Sequence, residues 1–176
     1  LHPQTMAYQP IENYGLIGNM RTVALVGMHG SIDWFCFPHF DSPSIFGALL
    51  DQREGGRFRI RPRAATFATT QLYFPDTAIL VTRFMTEEGV GEVSDFMPVS
   101  GNAATDRHRL VRMIRCVRGQ MAFEVEVAPR FDYGRAAHQL QTSEDGAVFT
   151  SNGTAVTLHA VREPDDARIA HASADG

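Results

Sequence analysis

The sequence predicts an all-β fold, an antiparallel two-sheet β-sandwich with one short helix near residues 44–51, and three observations carry that reading. From Thr22 onward, short runs rich in Val, Ile, Phe, Tyr and Thr follow one another, divided by Gly, Pro, Asn and Asp. Within a run, apolar and polar residues alternate. This is clearest in Phe123-Glu124-Val125-Glu126-Val127, where one face is buried and the other wet. Glycines stand between runs at His29-Gly30, Glu88-Gly89, Arg118-Gly119, Asp145-Gly146 and Asn152-Gly153, where a tight hairpin demands positive φ. Hairpins without crossover helices exclude a parallel sheet.

Taken in order, residues 1–10 read as a disordered amino-terminal arm, with Leu1 to Thr5 as extra residues ahead of a start at Met6. Residues 11–176 read as one domain. Strands are expected at Thr22 to Val26, Ser31 to Phe37, Arg57 to Arg61, Gln71 to Phe74, Ile79 to Thr86, Val90 to Pro98, Arg109 to Val117 and Met121 to Pro129. The helix is expected from Ser44 to Asp51, with Ser42 capping its first turn and Pro43 at its first position. Strand patterning continues to Ile169 with no closing linker, so the domain is expected to be truncated at its carboxyl edge.

The 176 residues suffice to bury a core without disulfides or a structural metal. Sixteen Lys and Arg against twenty Asp and Glu leave a net charge of −4 and no basic run, which argues against nucleic acid as a partner. No stretch reaches the roughly 20 apolar residues that span a bilayer, so no membrane role is expected. Arg57, Arg59, Arg61 and Arg63 alternate along one strand and form a single row, read as a solvated face. Cys36 and Cys116 lie far apart in apolar runs and read as buried free thiols of a cytoplasmic protein.

The usual catalytic signatures are missing: there is no GxSxG, HExxH, GxxxxGK[ST] or GxGxxG. The histidines are scattered singly, and no metal or cofactor is expected. Asn152-Gly153-Thr154 fits a glycosylation acceptor but reads better as a hairpin. The informative stretch is Gly30 to Ser44, which gathers the only Trp of the chain, three Phe and two Asp. Sugars stack their C–H faces on such rings and need acceptor oxygens for their hydroxyls. Against this stands a plain reading, in which the aromatics fill the core while Asp41 and Ser42 shape a turn.

Ile11 to Asn19, Arg21 to Val26, Gly30-Ser31-Ile32-Asp33-Trp34 and Phe40-Asp41-Ser42-Pro43-Ser44 together resemble the start of bacterial glycoside hydrolase family 15 proteins, of the trehalase-like or glucoamylase-like kind. Ser94-Asp95-Phe96-Met97-Pro98 and Pro129-Arg130-Phe131-Asp132-Tyr133-Gly134 resemble later family segments in the same order. His39 stands where the family usually has Arg. The resemblance implies a non-catalytic amino-terminal β-sandwich of the super-sandwich type followed, in the parent enzyme, by an (α/α) barrel that hydrolyses α-glucosides with inversion. The two carboxyl groups of such an enzyme, roughly 6.5–9.5 Å apart, belong to that barrel, which has no counterpart here. No catalytic residue is therefore expected in this chain.

The expected role is to pack on the barrel and shape one wall of its substrate cleft, with Trp34, His39, Phe40, Asp41 and Ser42 as cleft or interdomain contacts. The expected partners are the carboxyl-terminal barrel of the same polypeptide and an α-glucoside at the shared cleft. A purely structural domain that mediates homo-oligomer contacts ranks second, and an independent carbohydrate-binding module third. The former predicts a sticky apolar patch and the latter a row of exposed aromatics on one sheet face.

Overall fold

The computed structural model describes residues 8–99 and 108–161. After a single turn of 3-10 helix at Ile11–Asn13, thirteen strands follow: β1 (Tyr14–Gly18), β2 (Val23–Gly27), β3 (Ser31–Cys36), β4 (Ser44–Phe46), β5 (Arg57–Pro62), β6 (Ala68–Tyr73), β7 (Leu80–Met85), β8 (Gly89–Phe96), β9 (Val111–Gly119), β10 (Phe123–Ala128), β11 (Gln139–Ser143), β12 (Gly146–Ser151) and β13 (Thr154–His159). All pair antiparallel. A six-stranded sheet runs β1-β2-β3-β5-β10 with β4 added on β3, and a four-stranded sheet runs β6-β7-β8-β9.

These two sheets form the β-sandwich. Ile17, Ala24, Val26 and Ile32 of the larger sheet share a buried cluster with Leu80 of the smaller, and Ile60 meets Phe84 and Val93 in a second. Each of these Ile, Val, Leu and Phe side chains contributes roughly 1.5–3 kcal/mol of burial. A third sheet, β11-β12-β13, packs Phe149, Leu140, Ala147 and Val156 onto the first cluster, an addition that a two-sheet reading does not contain.

The expected helix at 44–51 does not form. Ser44, Ile45 and Phe46 are buried and extended as β4, with Phe46 stacked on Phe35 at 6.2 Å. Ser42 caps no helix, because its Oγ accepts the His39 N–H at 3.2 Å inside the preceding turn. Local propensity is overridden by the apolar pocket that Phe35 and Phe58 offer. Downstream, Asp51 accepts the N–H groups of Arg53 and Glu54 and closes a turn; these bonds hold its carboxyl below the ordinary carboxylate value.

β1 went unread because Gly15 and Gly18 weaken its pattern; a Cβ at Gly15 would press on the tip of the Leu80 side chain of the opposite sheet, which would have to shift. Residues 8–10, assigned to the arm, are tied down: the Tyr8 hydroxyl donates to Leu50 O at 3.1 Å and the Gln9 amide to Asn13 O at 2.7 Å. Residues 1–7 and the continuation of strand patterning past 161 lie outside the described residues. The arginine row is not merely solvated. Arg59 meets Glu126 at 2.7 Å and Arg61 meets Glu124 at 3.1 Å across the β5–β10 register, so both charge rows form one ladder. Cys36 is buried as expected, whereas Cys116 is exposed.

Between the two sheets, near the margin formed by β9, lies a buried charged pair. Arg112 on β9 and Asp95 on β8 pair at 2.7 and 3.1 Å with side chains 2% and 0% exposed. The remaining Arg112 donors cross to the other sheet, reaching Phe58 O at 2.6 Å and Gly30 O at 2.8 Å, and the guanidinium lies 4.8 Å from the Phe58 ring centroid. Full pairing of both ions is the condition under which such burial is tolerated.

Candidate functional site

The segment singled out in the sequence leaves β3 at Cys36 and turns at residues 37–42 before re-entering the sheet as β4. Phe37–Pro38 is a cis peptide. The turn is closed by Ser42 N–H to His39 O at 3.1 Å and by the reciprocal His39 N–H to Ser42 Oγ. Its tip is pinned to the β1–β2 loop by Phe40 N–H to Arg21 O at 3.0 Å. That loop is itself shaped by Asn19, whose Oδ1 accepts the Arg21 and Thr22 N–H groups.

Backbone fastening leaves the side chains free to face outward. Phe40 is 70% exposed, and Met20 on the neighbouring loop is 81% exposed. Asp41 is exposed and Ser42 half-buried. His39 is half-buried with its ring edge-on to His108 at 6.0 Å, and His108 in turn meets Phe37 at 5.3 Å. Behind the turn, burial first and the Asp41 charge second push the Cys36 thiol pKa up, so Cys36 is a packed thiol and no nucleophile. An open ring beside a free carboxylate and a fixed backbone can stack on a sugar face and accept its hydroxyls.

Trp34 belongs to a second group. It is half-buried on β3 opposite Leu25, with its indole 6.4 Å from the Tyr133 ring, which Arg135 overlies at 5.5 Å. The structure therefore brings His39, Phe40, Asp41 and Ser42 together and sets Trp34 beside Tyr133. Met20, Arg21, His108 and Tyr133 were missed as neighbours. Of these, Arg21 and Tyr133 carried a signal, since they fall in the Arg21 to Val26 and Pro129 to Gly134 segments already noted. Next to Trp34, Asp33 is held by hydroxyls, Tyr14 at 2.8 Å and Ser31, and burial together with that bond drives the Tyr14 pKa up.

Among the described residues no group of three or more His, Cys, Asp or Glu is arranged to hold a metal ion, and no helix is long and apolar enough to cross a membrane. The best-formed concavities lie elsewhere and are shallow, one lined by Thr66, Phe67 and Met85 and the other by His138 and Thr150.

Comparison with known proteins identifies the family. The chain is 31% identical over 153 residues to a trehalase of Thermoplasma volcanium, covering 86% of this chain and 25% of that protein. It is 33% identical over 145 residues to a trehalase of Mycolicibacterium smegmatis, with 74% and 22% covered. To trehalase 1 of Sulfolobus acidocaldarius it is 38% identical over 135 residues, with 77% and 22% covered. The chain thus spans about a quarter of the length of the curated relatives it matches. No solved structure matches. The profile of the trehalase-like, N-terminal family covers residues 4–162, and this chain belongs to that family.

Proposed function

We propose that this domain is the non-catalytic amino-terminal sandwich of an inverting α-glucoside hydrolase of glycoside hydrolase family 15, acting in the cytoplasm on trehalose or a glucoamylase-type substrate. It packs on an (α/α) barrel of the same polypeptide and presents the His39 to Ser42 turn as one wall of the substrate cleft. The observation that carries the reading is a solvent-facing Phe40 and Asp41 on a turn fastened at both ends, within a family whose relatives named trehalase are about four times longer. A wall residue needs that combination of fixed backbone and free side chain. Trp34, packed on Tyr133, serves the interdomain contact rather than the sugar.

The test compares glucose release from trehalose and maltooligosaccharides by this chain and by the same chain continued into its downstream region. Silence from the shorter protein and turnover by the longer are expected, and turnover by the purified short chain overturns the reading. In the longer protein Phe40→Ala is expected to lower kcat/KM about three- to tenfold at unchanged Tm, the scale of one lost ring-stacking contact. Unchanged kinetics would remove Phe40 from the cleft.

A further inference from the structure

The sandwich has one margin where both sheets stop together. β9 is the last strand of the four-stranded sheet and β10 the last of the six-stranded sheet, and only Gln120 to Ala122 separates them. On β9 the inward row is Arg112, Ile114 and Cys116, opposite Asp95, Val93 and Gly91. Asp95 and Val93 are 0% exposed, yet Ile114 is 44% exposed and Cys116 is open. On β10, Val125 sits opposite Ile60, which is 2% exposed, and is itself 52% exposed. Apolar side chains aimed between two sheets but left wet mark a core that continues beyond the present strands. The outer faces add Met113 at 57% and Val117 at 45%.

The margin also has a charge. Arg115 and Arg118 project on the outer face of β9 opposite Glu92 and Val90. Glu92 is already engaged by Arg83 at 2.6 Å, and among the described residues neither Arg115 nor Arg118 has a carboxylate within ion-pair distance. A second copy pairing through its own β9 fits poorly, because that strand brings Arg115 and Arg118 to the seam and has no Asp or Glu to answer them. An extended segment alternating apolar residues with Asp or Glu fits both features.

We propose that this margin receives such a segment from the region that follows this domain in its trehalase relatives, pairing as an added strand with β9 and covering Ile114, Cys116 and Val125. The inference rests on the reading that a longer polypeptide exists, and its test separates the two. Cys116 is a built-in reporter because the other thiol, Cys36, is buried. Maleimide alkylation of the native 176-residue chain is expected to label Cys116 and spare Cys36. In the same chain continued downstream, labelling of Cys116 is expected to slow by about 100-fold or more, the protection of a site that must open locally before it reacts.

Within the longer protein, Arg115→Glu with Arg118→Glu is expected to restore much of the reactivity, and Arg115→Lys with Arg118→Lys to leave it low. Rapid labelling in a longer protein that turns over trehalose overturns this inference and leaves the proposed function standing. Protection without turnover supports the margin and overturns the substrate. Slow labelling of the short chain accompanied by a dimer mass assigns the margin to a second copy and overturns the proposal.

Discussion

The two margins of this sandwich are built from the same materials and finished differently. Where β1 and β6 end their sheets, the Tyr73 hydroxyl accepts the Leu16 N–H at 2.9 Å and donates to Leu16 O at 2.8 Å, while Gln71 reaches from β6 to Val26 O at 3.3 Å. One phenol thus occupies the free donor and acceptor of an edge residue that would otherwise invite another strand. At the opposite margin β9 and β10 carry no such device, and Ile114, Cys116 and Val125 stay wet. The difference teaches that exposure of an apolar side chain is uninformative by itself, since Leu16 and Tyr73 are exposed too, at 49% and 47%. What distinguishes an unfinished edge is inward parity combined with unpaired backbone.

The sharpest way to break the comparison is to cut the link between the sheets near the open margin. Arg112→Ala strands Asp95 in a dry interior and leaves Gly30 O and Phe58 O without those donors, so a loss of about 3–5 kcal/mol is expected in urea unfolding. Arg112→Leu combined with Asp95→Leu is expected to recover much of it. At the closed margin, Gly15→Ala forces Leu80 aside and is expected to cost roughly 1–3 kcal/mol, read as a lower Tm. Tyr73→Phe, which keeps the ring and removes the hydroxyl, is expected to cost about 1 kcal/mol and to speed hydrogen exchange at Leu16. Ile114→Thr at the open margin is expected to change the stability of this chain by less than about 0.5 kcal/mol; a large loss would mean that the margin is already closed.

The smallest effect is a pH dependence in the third sheet. His138 lies between Phe131 and Phe149, and burial first and Arg130 second depress its pKa below the ordinary 6.5. The fold thus favours neutral imidazole. Its contribution is whole above about pH 6.5 and falls away as the pH drops from there through the lowered folded value, because the unfolded chain binds the proton first. His138→Gln is expected to flatten that part of the stability profile.

Much of the architecture was legible because it rests on local rules. Gly30 and Asn152-Gly153 adopt the positive φ that their turns require, whereas Gly89 and Gly146 do not, and the alternation at β10 set Phe123 and Val127 against the core but left Val125 52% exposed. The helix at 44–51 misled because a capping pattern is local, whereas β4 is decided by Phe35, which is distant in sequence. Of the candidate site, the crowding of polar and aromatic residues singled out a loop whose side chains at Phe40 and Asp41 the fold leaves facing outward. Two-residue alternation says nothing about a turn, however, so only the fold separates exposed Phe40 from packed Trp34. The Arg112 and Asp95 pair left one usable trace: each is a charge in an otherwise uncharged inward row, beside Ile114 and Cys116 on β9 and Val93 and Gly91 on β8.

That pair also bears on how the chain comes together. Asp95 and Arg112 sit on adjacent strands of the smaller sheet, but two of the guanidinium's acceptors belong to the larger. Neither sheet alone offers the arginine a dry and fully satisfied place, so half-built sandwiches are penalised relative to both the unfolded chain and the finished one. A buried charge shared between layers therefore works as a cooperativity device, making the two sheets melt in a single transition.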